Sequence, residues 1–126
     1  MNTLNIEKTF ETAGVFADPT AALVRVEGSS FPENAFIYFA PLVDWIEQYF
    51  AQGATELSAE FRMTYFNTAS SKALRNLVKL LDGFYAAEKR VRVTWYYDPD
   101  DEDMQDVGKS YSLAFDVPIS VQPLDE

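Results

Sequence analysis

The sequence predicts an α/β domain of two layers, a mixed β-sheet with helices packed mainly on one face. Three observations lead there. Stretches of alternating apolar and polar residues, the mark of half-buried strands, are interleaved with stretches whose apolar residues recur at helical spacing. Three of the alternating stretches carry charges on one face, whereas strands covered on both sides are apolar throughout. One face of the sheet should therefore be covered by helices and the other partly wet. The third is size: 126 residues, 48% of them apolar and 15% aromatic, suit one compact domain over residues 1–126.

Leu4 to Phe10 reads as a first strand. Val15-Phe16-Ala17 and Ala22 to Glu27 flank Asp18-Pro19-Thr20, a turn in which Pro presets φ. In the second of these strands Arg25 and Glu27 fall opposite Val24 and Val26. Ser30-Phe31-Pro32-Glu33 fits a capping box, with Pro tolerated in the first helical turn. The stripe Phe36, Phe39, Leu42, Val43, Ile46, Tyr49, Phe50 keeps its phase across Pro41, which favours one bent helix over two, and Gly53 would end it. Glu56 to Phe66 alternates, with Leu57, Ala59, Phe61, Met63 and Tyr65 on one face. A second helix follows from Ser70 to Ala87, its buried side formed by Leu74, Leu77, Val78, Leu81, Phe84 and Tyr85. Val91 to Tyr97 alternates again, with Val91, Val93 and Trp95 inward. The acidic stretch Asp98 to Asp103 feeds a third helix from about Glu102 to Phe115, where acids in the first turn suit the dipole. Pro118 to Gln122 makes a last short edge strand.

Charge and composition exclude several function classes. Twenty acidic against 10 basic residues give a net charge of −10, which repels nucleic acid and anionic lipid. No apolar run approaches the roughly 20 residues of a membrane span. Met1-Asn2-Thr3-Leu4-Asn5 lacks the order of a signal peptide, so a cytoplasmic location is expected. The chain has no Cys and no His, which removes disulfides, thiol nucleophiles, the commonest zinc ligands and the commonest general base. Catalysis and a bound cofactor are therefore not expected.

The stretch with most chemical content is Asn67-Thr68-Ala69-Ser70-Ser71-Lys72, which sets hydroxyls between a strand and an amphipathic helix. Unpaired backbone N–H groups there accept either a phosphate or a capping side chain. Capping alone would explain these residues. The following helix carries Lys72, Arg75 and Lys79 on its solvent side, a local basic stripe in an acidic protein. Such a stripe is either ordinary solvation, a docking surface for an acidic partner, or a set of counter-charges for a phosphate. The Asp98 to Asp103 run is not an EF-hand loop, because its sixth and twelfth positions would be Asp103 and Lys109. Glu60 and Asp44 could in principle pair for acid–base work, but nothing fixes their separation. The glycines are isolated and make no phosphate cradle, and the two Trp sit at core spacing.

Three segments taken together are more specific. Phe31-Pro32-Glu33-Asn34-Ala35 leads into Pro41-Leu42-Val43-Asp44-Trp45-Ile46-Glu47; Tyr65-Phe66-Asn67-Thr68-Ala69-Ser70-Ser71-Lys72-Ala73-Leu74 follows; Val93-Thr94-Trp95-Tyr96-Tyr97-Asp98 then precedes Asp101-Glu102-Asp103-Met104. In this order and spacing, over nearly the whole chain, they resemble the SiaC-type biofilm-regulation phosphoproteins. These are small bacterial proteins with a fold like the STAS domains of anti-sigma-factor antagonists. The resemblance implies a regulator phosphorylated on the Thr of an Asn-Thr-Ser-Ser stretch, here Thr68. It implies a kinase of anti-sigma-factor type and a PP2C-type phosphatase. It further implies that the unphosphorylated form binds and activates a diguanylate cyclase. Ala69 stands where the family usually has Ser, which removes one alternative acceptor and leaves a second phosphosite at Ser70 or Ser71 open.

Two hypotheses follow. One is a non-enzymatic regulator switched at Thr68, with Asn67, Ser70, Ser71 and Lys72 around the phosphosite and Lys72, Arg75 and Lys79 on the partner surface. The other is a constitutive adaptor or structural subunit whose junction hydroxyls only cap the helix. A carboxylate enzyme is a distant third.

Overall fold

The computed structural model describes residues 1–124. Its elements are β1 (Leu4–Ile6), β2 (Gly14–Asp18), β3 (Leu23–Ser30), α1 (Ala35–Ala51), β4 (Glu56–Phe66), α2 (Thr68–Ala86), β5 (Arg90–Tyr97), α3 (Glu102–Ala114) and β6 (Ile119–Pro123). The six strands form one sheet in the order of the sequence. β1–β2 and β2–β3 pair antiparallel; β3–β4, β4–β5 and β5–β6 pair parallel, so the sheet is mixed as expected.

That order explains the two layers. The helical crossovers β3–α1–β4, β4–α2–β5 and β5–α3–β6 all advance in one direction along the sheet. Right-handed crossovers, the near-universal hand, then place every helix on the same face. Strand residues turned to that face are buried: Val15 and Ala17, Val24 and Val26, Leu57 to Met63 at every second position, then Val91, Val93 and Trp95. The other face holds Arg25, Glu60 and Arg62, the Glu60 carboxylate accepting from both guanidinium groups at 3.2 Å. Such half-exposed pairs contribute at most about 1 kcal/mol. They keep the face wet rather than hold the fold.

Trp95 organises the core. It is fully buried, stacked on Phe61 with ring centroids 5.5 Å apart, and its indole N–H donates to the Met104 carbonyl at 2.9 Å. Tyr111 of α3 meets it edge-on at 5.4 Å. Gly108 faces the indole directly, which lets α3 approach the sheet.

Several expected boundaries move. The first strand stops at Ile6, and Phe10 is 85% exposed. Ala22 takes a positive φ of 54° in the turn before β3 and is not in the strand. Ser30 does not cap α1. Parallel pairing with β4 extends β3 through Ser30, opposite Phe66, so no helix can begin there. Asn34 caps instead, its Oδ1 accepting from the Ile37 N–H at 3.1 Å. The helix runs unbroken through Pro41 and ends where Gly53, at φ +101°, follows the cap. Phe36 and Tyr85, expected inside, are 51% and 38% exposed.

Tyr65 is a third such case, with a definite cause. Gly28 pairs with Met63 but Ser29 pairs with Tyr65, so Thr64 is an extra residue and β4 bulges. Alternation inverts beyond it. Tyr65 turns outward, 53% exposed, while Phe66 packs on the core against Trp95.

The connection from α3 to β6 is held by one carboxylate. Asp82 of α2 accepts from the backbone N–H groups of Asp116 and Val117, both at 2.9 Å, and Val117 is buried. Asp82→Ala would strand two donors, at a cost of about 1–3 kcal/mol. A thermal melt should show this loss, with Asp82→Asn, which keeps one acceptor oxygen, recovering most of it.

Candidate functional site

The C-terminal ends of β3, β4 and β5 and the N-termini of all three helices lie along one edge of the domain, where open α/β sheets place their sites. The hydroxyl-rich junction lies there, and its four uncharged polar side chains have separate tasks. Asn67 is the cap of α2: its backbone is extended, its Oδ1 accepts from the Ser70 N–H at 2.9 Å, and its carbonyl accepts from the Ser71 N–H at 2.9 Å. Ser70 is fully buried, its hydroxyl 2.9 Å from that of Ser30. The Asn67 N–H donates to the Ser30 carbonyl at 3.2 Å, so the end of β3 fixes the start of α2 at two points. Ser71 is half-buried beside Tyr111. Burial raises the Tyr111 phenol above its ordinary value, an effect opposed by the Arg75 guanidinium and the Ser71 hydroxyl.

Thr68 is left over. It is the first residue of α2, it is exposed, and capping is done by its neighbour. Lys72, Arg75 and Lys79 follow it at 4, 7 and 11 residues, close to whole numbers of 3.6-residue turns, so all four share one ridge. The three cations are exposed. Arg75 also lies over the Phe115 ring, 5.0 Å from its centroid, which ties the ridge to the end of α3.

Ser30 is the site residue that sequence reasoning assigned wrongly. Its Ser-x-x-Glu spacing suggested a helix cap, and its real partner lies 40 residues away. Beside the site the loop after β1 folds over the edge, with the Phe31 N–H donating to the Glu11 carbonyl at 2.8 Å. Phe10, Phe31 and Tyr65 form an edge-to-face ladder there, at 5.6 and 5.8 Å.

The remaining candidates separate. Glu60 lies on the open sheet face and Asp44 on α1 in the helical layer, so they do not form a carboxylate pair. In the acidic stretch, Asp98 Oδ1 accepts from the Asp100 N–H at 2.9 Å and Asp101 caps α3, accepting from the Met104 N–H at 3.0 Å. Glu102 and Asp103 occupy the first turn of α3. Among the described residues no three acidic side chains converge as metal ligands would, and no helix is long and apolar enough to cross a membrane.

Comparison with known proteins agrees with this architecture. An uncharacterized protein of Pseudomonas aeruginosa (strain UCBPP-PA14) is 29% identical over the full length of both chains. The crystal structure of apo-SiaC from P. aeruginosa superposes with a TM-score of 0.90 at 28% identity, over 97% of this chain and 99% of that one. A crystal structure of the diguanylate cyclase SiaD in complex with its activator SiaC, also from P. aeruginosa, matches with a TM-score of 0.90 at 28% identity, over 96% and 99%. The model of the family described as SiaC family regulatory phosphoprotein matches residues 6–124, and the chain therefore belongs to that family.

Proposed function

We propose that this protein is a non-enzymatic switch in cyclic-di-GMP signalling, set by phosphorylation of Thr68. A kinase of anti-sigma-factor type adds the phosphate, a PP2C-type phosphatase removes it, and the unphosphorylated form binds and activates a diguanylate cyclase. The related SiaC is described as the activator of the cyclase SiaD, which supports the choice of effector. The observation that carries the reading is the division of labour at the junction. Asn67 caps and Ser70 is buried, so the exposed Thr68 hydroxyl is free of the structural duty that would otherwise explain it.

A phosphate on Thr68 brings about −1.5 to −2 charges to the N-terminus of α2. The helix dipole tolerates it, by roughly 0.3–1 kcal/mol, and Lys72 one turn along supplies a counter-charge. Against a bound partner the same group, buried and unpaired, costs several kcal/mol. Association responds and the fold does not.

Phosphate-affinity electrophoresis after incubation with the cognate kinase and Mg-ATP tests the site. Wild type and Ser71→Ala should shift; Thr68→Ala should not. Equal phosphorylation of Thr68→Ala would place the switch elsewhere, and no shift in any of them would favour a constitutive adaptor.

A further inference from the structure

We propose that the strand edge beside Thr68 carries a two-part docking surface for the kinase, an aromatic ladder and an acidic cavity, an assignment that rests on the switch proposed above. The ladder is Phe10, Phe31 and Tyr65, edge to face at 5.6 and 5.8 Å. Phe10 is almost wholly exposed, yet its loop is fixed. The Thr9 hydroxyl accepts from the N–H groups of Glu11 and Thr12 at 3.2 and 3.0 Å, and the Thr9 N–H donates to the Thr12 carbonyl at 3.0 Å. Three contiguous rings held out by an ordered turn, unlike one stray apolar side chain, mark a contact surface. The bulge at Thr64 completes the ladder, because it turns Tyr65 outward to meet Phe31. The ladder occupies the β3 side of β4, and the second part lies on its β5 side. There a cavity of about 650 Å³ opens between Thr64 and the acidic run, with Asp98, Asp100, Asp101, Glu102 and Asp103 in its wall. No Lys or Arg lines it, and among the described residues none of these carboxylates is in an ion pair. Thr68 stands three residues past Tyr65, so the two Cα atoms lie within about 11 Å.

Charge identifies the occupant. A kinase that hands a γ-phosphate to Thr68 holds Mg-ATP among cations, and that cationic cleft must reach the Thr68 hydroxyl. A positive mouth with an apolar margin complements five carboxylates on one side of β4 and three rings on the other. A second copy of this chain fits poorly, because it carries the same net charge of −10 and would be repelled by the acidic wall. Lys72, Arg75 and Lys79 run down α2 away from this edge. Binding at that ridge and binding at the ladder and cavity are therefore separable by mutation.

The test measures kcat/KM for phosphorylation of the full chain by its cognate kinase with Mg-ATP. Phe10→Ala removes the outermost ring, and Asp100→Lys reverses one charge of the cavity wall. Each should lower kcat/KM about fivefold or more, through KM with kcat nearly kept, because contacts remote from the reacting atoms bind ground state and transition state alike. Leu113→Ala, at a residue as exposed as Phe10 but near the far end of α3, should stay within about twofold. Melting temperatures of all three should lie close to wild type. If both surface variants are phosphorylated as fast as wild type, the ladder and cavity are wrong and the switch reading stands. If wild type is not phosphorylated, or Thr68→Ala is phosphorylated equally, the switch reading fails and the docking surface falls with it. If Phe10→Ala weakens binding to the diguanylate cyclase SiaD of P. aeruginosa while its phosphorylation is unchanged, the occupant is the effector and the proposal is overturned. Self-association of wild type in sedimentation, abolished by Phe10→Ala, would assign the ladder to a second copy and overturn it equally.

Discussion

A Gly108→Ala chain should melt about 5–10 °C below wild type, although alanine is the better helix former by about 1 kcal/mol. Gly108 lies within α3 and is buried against Trp95. A Cβ there would stand 2.5 Å from Cδ1 and 2.9 Å from Cγ of the indole, closer than real contacts allow. The indole has nowhere to move. It is fully buried, stacked on Phe61, met edge-on by Phe66 and Tyr111, and tied to the Met104 carbonyl. A contact this short puts the overpacking cost at the upper end of the usual range, about 3 kcal/mol, which leaves a net loss of about 2 kcal/mol after the gain in propensity. The steric term wins. Gly83→Ala is the internal control, since its new methyl meets nothing and should stabilise α2 by about 0.5–1 kcal/mol. One substitution type should thus give opposite signs in differential scanning calorimetry. Equal shifts would mean that α3 can slide away from the sheet.

The second large effect concerns binding. Thr68→Asp should raise the dissociation constant for the proposed effector, a diguanylate cyclase, by about tenfold or more, the equivalent of about 1.4 kcal/mol. Its melting temperature should hardly change. A carboxylate at the first position of α2 interacts favourably with the helix dipole by about 0.3–1 kcal/mol, and an exposed residue has little packing to lose. In a complex the same charge loses its water and counteracts the cations of Lys72, Arg75 and Lys79. Calorimetric titration beside a thermal melt separates the two. A destabilised variant that still binds at wild-type affinity would contradict the switch.

Much of the architecture was legible because it follows from local periodicity. Alternation in Glu56 to Phe66 and Val91 to Tyr97, and the helical stripe from Leu74 onward, correctly gave strands, a helix and a sheet with one wet face. The errors share a different origin. Ser30 looked like a cap because sequence spacing does not show that β4 pairs with β3 as far as Phe66. Tyr65 looked internal because the added residue Thr64 changes the phase of β4, and with Tyr65 and Phe66 both aromatic the sequence fits either phase. Phe36 looked internal because an apolar stripe does not reveal that the neighbouring helix leaves a gap. At the candidate site, sequence placed the hydroxyls between a strand and a helix, where β4 gives way to α2. Which of them is spare depends on the Ser30–Ser70 contact and on Asn67, and only the folded chain decides it.

The Ser30–Ser70 contact has one more consequence. Thr68 is presented on the first turn of a helix whose start is pinned to the end of β3, 40 residues away in sequence. Under the proposed switch, the modifying enzyme should read a surface rather than a linear motif, and a short synthetic peptide around Thr68 should be a poor substitute for the protein. Under that switch, misfolded copies would fail to offer that surface and would drop out of the signalling pool. A switch at Thr68, as proposed, would thereby count only molecules that have completed their folding.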